Sequence, residues 1–143
     1  NLDGVYGDLQ YVGNKDTNKI VRLWRSKELD LKFLKRGWMP PHPTFFIKKE
    51  VYRKYGNFNK SFEISADYDF MLRILIDKKL KFGYLPIVIT KMRVGGISNG
   101  SLLNILKKTK EDYLVVRTNN LGGWLIVFLK NISKFKQFLL KKH

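Results

Sequence analysis

The segment Ala66-Asp67-Tyr68-Asp69-Phe70 holds the residue best suited to chemistry in this chain of 143 residues. A carboxylate projecting from the first turn of a helix can take a proton from an attacking hydroxyl while the apolar face of the helix anchors it. The same position also suits a capping carboxylate, because acidic side chains there satisfy orphan amides and meet the positive end of the helix dipole. Spacing alone leaves both roles open to Asp67. Asp69 stands four residues before Arg73, and Asp77 four residues after it, which is the spacing of helical ion pairs worth about 0.3–0.5 kcal/mol each. The other reading of Arg73 is that it orients a catalytic carboxylate or a phosphate.

His42 lies in Pro40-Pro41-His42-Pro43, where the prolines fix the backbone and leave an imidazole little entropy to lose on meeting a ligand. Asp8 invites comparison with a metal-binding Asp-x-Asp, but position 10 is Gln10. The chain has no cysteine, which excludes disulfides and thiolate metal sites, and His42 and His143 alone do not make a histidine zinc site. The formal net charge of +16 favours polyanions such as nucleic acid, anionic lipid or phosphorylated ligands. No apolar run approaches the roughly 20 residues of a membrane-spanning helix, and no signal-peptide pattern opens the chain, so the expected compartment is the cytosol. The start at Asn1, without Met and running straight into strand-like sequence, reads as a piece of a longer protein.

These side chains need elements to position them. Residues 5–12 and 20–25 have strand character around the polar 13–18 turn, which predicts a hairpin. Leu29–Arg36 reads as a short helix ended by Gly37, Thr44–Ile47 as a short buried strand, and Lys49–Tyr55 as a helix stopped by Gly56. The three prolines of the 40–43 segment argue against regular structure there. Over Ser65–Lys78, Phe70, Met71, Ile74 and Leu75 recur at helical spacing, placing Asp67 and Asp69 in the first turn. A strand pair is expected across Lys81–Val94, then a sharp turn or close backbone approach at Gly95-Gly96. Helices are expected over Leu102–Val116 and Trp124–Leu140. In the latter, Phe128, Ile132, Phe135 and Leu139 share one face, and Lys130, Lys134, Gln137 and Lys141 the other.

Taken in order, Val5-Tyr6-Gly7-Asp8, Pro41-His42-Pro43-Thr44-Phe45-Phe46, Val51–Phe58, Ala66–Arg73 and Gly95-Gly96-Ile97-Ser98 resemble the second half of the catalytic domain of bacterial family 2 glycosyltransferases. The resemblance covers roughly residues 3–100. It implies an α/β chain: a partial GT-A (nucleotide-diphospho-sugar transferase-like) fold with a mixed sheet and flanking helices, residues 1–100, followed by a basic helical extension over 101–143. It also implies an inverting enzyme that moves a sugar from a nucleotide-sugar donor to a surface-polysaccharide or lipid-linked acceptor, as in capsule or lipopolysaccharide synthesis. By the same resemblance Asp67 is the general base, with Ala66 where the family often has Glu. His42, Asp69 and Arg73 fall on the acceptor side, and Gly95, Gly96 and Ser98 form a loop able to approach an anion or acceptor. The family's nucleotide-binding half, with the Asp-x-Asp that holds Mg²⁺ or Mn²⁺, is expected upstream of residue 1, so the isolated chain is expected to be inactive.

Beyond the resemblance, the apolar stripe and lysines of Trp124–Leu140 suit the surface of an anionic bilayer, here the inner face of the cytoplasmic membrane; the alternative is that the stripe packs on the domain. Two readings without catalysis stand beside the enzyme. One is a nucleic-acid-binding module driven by charge and aromatics, for which no helix-turn-helix or aromatic sheet motif is present. The other is a peripheral membrane-binding module.

Overall fold

The computed structural model describes residues 1–95 and 102–139, with side chains described over 103–133 of the second stretch. The hairpin forms as expected: β1 (Gly4–Val12) pairs antiparallel with β2 (Ile20–Trp24) through its Leu9–Val12 half. The other half of β1, at Gly4 and Val5, pairs antiparallel with β3 (Phe46–Ile47). The strand β4 (Phe82–Arg93) runs parallel to β1 along Gly4–Val12. One edge of β1 is thus shared by β2 and β3, the other belongs to β4, and the sheet is mixed.

The strand pair expected across Lys81–Val94 is instead this single strand. Pro86, which lacks an N–H, suggests a break in the sequence. On an edge strand it is tolerated, and β4 absorbs it as register slips opposite Tyr6–Asp8 and Asp8–Leu9 of β1. The stretch read as a short buried strand at Thr44–Ile47 is also smaller than expected. His42–Thr44 makes a 3₁₀ turn, only Phe46–Ile47 is strand, and Phe46 is exposed.

Among the helices, α1 is only Leu31–Leu34, because the Asp30 side chain accepts from the Lys32 amide at 2.7 Å and fixes the start there. The helix α2 (Lys49–Tyr55) ends at Gly56, whose φ of 78° suits glycine. The helix α3 (Ala66–Leu75) buries Phe70, Met71, Leu72, Ile74 and Leu75, the face its spacing foretells. It packs on α2 and on α4 (Leu102–Thr118); α4 packs on α5 (Trp124–Leu139), and α5 returns to β2. The core therefore sits around α3, where Val115, Val116, Ile126 and Val127 close over it.

In α5 the stripe of Phe128 and Ile132 lies opposite Lys130, as expected, but of the two faces it is the Lys130 face that packs on the domain. Ile126, Val127 and Lys130 turn inward, while Phe128 and Ile132 are exposed. Lys130, expected on the face opposite the apolar stripe, is on the inward face and only 5% exposed. The reason is a buried partner: its Nζ lies 2.9 Å from Asp112 Oδ1. Phe135, Leu139, Lys134, Gln137 and Lys141 lie outside the described side chains.

Candidate functional site

Asp67 and His42 come from different motifs and meet at one cavity. Its volume is about 320 Å³, and it is lined by Tyr11 and Trp24 of the sheet, Trp38, Met39 and His42 of the proline-rich segment, Asp67 and Tyr68 of α3, and Lys108, Asp112 and Lys130 of the last two helices. His42 Nδ1 is 3.9 Å from Asp67 Oδ2, beyond hydrogen-bond length, and both side chains are a little over two-fifths exposed. The two therefore flank an opening rather than form a bonded dyad, leaving Asp67 Oδ2 accessible to a hydroxyl.

The two oxygens of Asp67 divide the roles that the sequence left open. Oδ1 accepts from the Tyr68 amide at 2.7 Å, which satisfies an orphan donor of the first turn and fixes the carboxylate's rotation. Oδ2 is the oxygen turned to His42. The N-cap residue Ser65 makes no side-chain capping bond; its Oγ donates to Asp112 Oδ1 at 2.8 Å instead.

What holds the start of α3 in place is a pair of acids on α4. Glu111 accepts from the amides of Glu63, Ile64 and Ser65 at 3.2, 2.9 and 2.8 Å. Asp112, 1% exposed, receives Ser65 Oγ, Lys130 Nζ and Lys108 Nζ. Burial alone would raise the Asp112 pKa, but Lys130 and Lys108 outweigh it and hold the carboxyl below its ordinary value. Lys130 Nζ also lies 3.1 Å from the centroid of the Tyr68 ring. Burial, followed by the nearby Asp112 charge, pushes the Tyr68 hydroxyl well above its usual range, so it stays protonated.

The His42 side is fixed by Thr44. Its Oγ1 donates within reach of Gly7 O at 3.0 Å and Pro41 O at 2.9 Å and accepts from the Gly7 amide at 3.3 Å, tying the 3₁₀ turn to β1. The imidazole meets Phe58 edge-on, with centroids 5.9 Å apart. Gly37 brings α1 against α5: at φ 77°, a Cβ there would fall 2.5 Å from the Lys130 amide nitrogen and 2.7 Å from Ile126 O.

Asp69 and Arg73 are not brought to the cavity. Asp69 pairs with Arg73 at 2.8 Å and accepts from Asn119 Nδ2 at 3.1 Å, while Arg73 donates to the carbonyls of Tyr55 and Asn57. They brace α3 between the end of α2 and the end of α4. Asp8 is similarly engaged, with Oδ1 accepting from the Ser26 amide and the Tyr84 hydroxyl. Gly95 has φ 113°, which favours glycine; Gly96 and Ser98 lie outside the described residues. Among the described residues no three His, Cys, Asp or Glu side chains converge to hold a metal ion.

Sequence reasoning missed Glu111, Asp112, Lys130 and Thr44. Only the i, i+4 spacing of Lys108 and Asp112 signalled any of this. It also missed two buried donors in residues of the cavity wall, Tyr68 Oη and Trp24 Nε1, which have no hydrogen-bond partner among the described residues. In comparisons with known proteins, no family model, no curated protein and no solved structure matches the chain.

Proposed function

We propose that the chain is the acceptor-side half of an inverting glycosyltransferase of the GT-A type, similar to family 2, with Asp67 as general base. The observation that carries the reading is the meeting of Asp67 and His42 across one cavity, because the two belong to separate motifs of the ordered set and their proximity is not built into either. The α/β architecture with a mixed sheet is compatible with it.

In this reading an acceptor hydroxyl enters beside Asp67 Oδ2. As its oxygen bonds to the anomeric carbon, its proton passes to Oδ2 and the bond to the donor diphosphate breaks on the opposite face, which inverts the centre. Tyr68 and Trp24 line the cavity beside Asp67, and His42 borders the entrance. The acceptor is a glycan or a lipid-linked sugar. The Mg²⁺ or Mn²⁺ that such enzymes use against the diphosphate does not fit the residues described here, since Asp8 is engaged by Ser26 and Tyr84. Its ligands belong to the nucleotide-binding half, and the metal would supply charge neutralisation to the leaving group.

The test is Asp67→Asn in a polypeptide that carries this chain together with its nucleotide-binding half. Transfer from the nucleotide-sugar is expected to fall by about 10²- to 10⁴-fold, with donor binding unchanged. Near-normal turnover would overturn the base assignment.

A further inference from the structure

The outer face of the α4–α5 hairpin carries a row of exposed apolar side chains that no described residue covers. Trp124, Phe128 and Ile132 repeat at one-turn spacing, with Leu125 beside them; on α4, Leu106 continues the row. Leu125 is 69% exposed and Phe128 61%. The two helices share this surface: Tyr113 stacks on Trp124 with centroids 4.2 Å apart, and Thr109 joins Trp124, Leu125 and Phe128 around a shallow depression.

The charges are sorted between the two faces. The acids of the segment, Glu111 and Asp112, are both buried against the start of α3, whereas Lys110 and Arg117 are exposed. Lys134, Lys136, Lys141 and Lys142 follow in the sequence without another acid. A surface of apolar side chains and cations, with its anions withdrawn, matches a bilayer with anionic headgroups. Other occupants fit less well. Copies of a chain with net charge +16 repel one another, and the aliphatic Leu106 and Leu125 offer nucleic acid neither stacking nor hydrogen bonds. No helix among the described residues is long and apolar enough to cross a membrane, so the mode is seating on the surface.

We propose that this face docks on an anionic lipid bilayer. Trp124, Leu125 and Phe128 enter the headgroup–acyl boundary, and Lys110 and Arg117 meet the headgroups. The opposite face of the same hairpin supplies Lys108, Asp112 and Lys130 to the cavity, so docking leaves the cavity on the far side of the hairpin, about 10 Å from the lipid-facing side chains. The docking does not depend on the enzymatic reading.

Flotation of the full chain with vesicles of phosphatidylglycerol and phosphatidylcholine in equal parts, against vesicles of phosphatidylcholine alone, tests it. The mixed vesicles are expected to bind at least about tenfold more strongly, in a salt-sensitive manner. Leu125→Ser with Phe128→Ser should weaken that binding by about tenfold or more, and Lys110→Gln by about fivefold, with circular dichroism unchanged. Absence of binding to the mixed vesicles, or binding indifferent to the double substitution, would overturn the proposal. So would lipid-free self-association abolished by the double substitution, which assigns the face to a second copy, or tighter retention on single-stranded DNA than on the vesicles.

Discussion

Asp67 illustrates how one carboxylate serves structure and chemistry at once: its Oδ1 closes a helix amide while its Oδ2 borders the cavity. That division was not legible in the sequence, which permits either role without showing that two oxygens can take one each. The support beneath it is Asp112. With Lys130 and Lys108 holding its pKa below the unfolded value, Asp112 contributes stability that is fully present above the unfolded carboxyl range, roughly pH 4, and lost as pH falls through the folded value. Asp112→Asn removes the carboxylate charge that faces the buried Lys130 ammonium and is expected to cost about 3–5 kcal/mol in urea unfolding at neutral pH. The variant's stability should also depend less on pH below about pH 4 than the parent's. An identical acid profile for both proteins would remove Asp112 from the account. At the residue level only the i, i+4 spacing from Lys108 hinted at this acid, because its partners Lys130 and Ser65 lie on other elements.

Elements were more legible than contacts. The hairpin, α2 with its Gly56 stop and the buried stripe of α3 follow from alternation, helical spacing and turn residues. Where the reading failed, something outside the local sequence decided. Pro86 suggests a break, yet pairing with β1 carries a single strand through it. The spacing of α5 separates Phe128 from Lys130 but does not say which side packs on the domain; a buried carboxylate draws Lys130 inward and turns Phe128 out. Gly37 fixes the approach of α1 to α5. Gly37→Ala would combine a left-handed backbone penalty with a clash against the α5 backbone. A loss of roughly 2–4 kcal/mol is expected, visible as a lower midpoint in thermal or urea unfolding. An unchanged midpoint would mean that the α1–α5 approach is not tight.

Across the whole molecule, the sheet presents one strand to solvent along its length. Among the described residues β4 pairs only with β1, and Leu85, Ile87 and Val88 are exposed on it. Its second edge is a row of backbone donors and acceptors open to another strand, relieved chiefly by Pro86 and by Lys91 and Arg93 near its end. At high protein concentration, and especially in salt that screens the charge of +16, this edge is where chains would first join strand to strand. Ile87→Lys is therefore expected to delay turbidity in high salt with little change in melting temperature. An unaltered delay would place the nucleating strand elsewhere. The long strand that completes the sheet is thus also a colloidal hazard, and the chain's excess positive charge is what keeps neighbouring copies from using it.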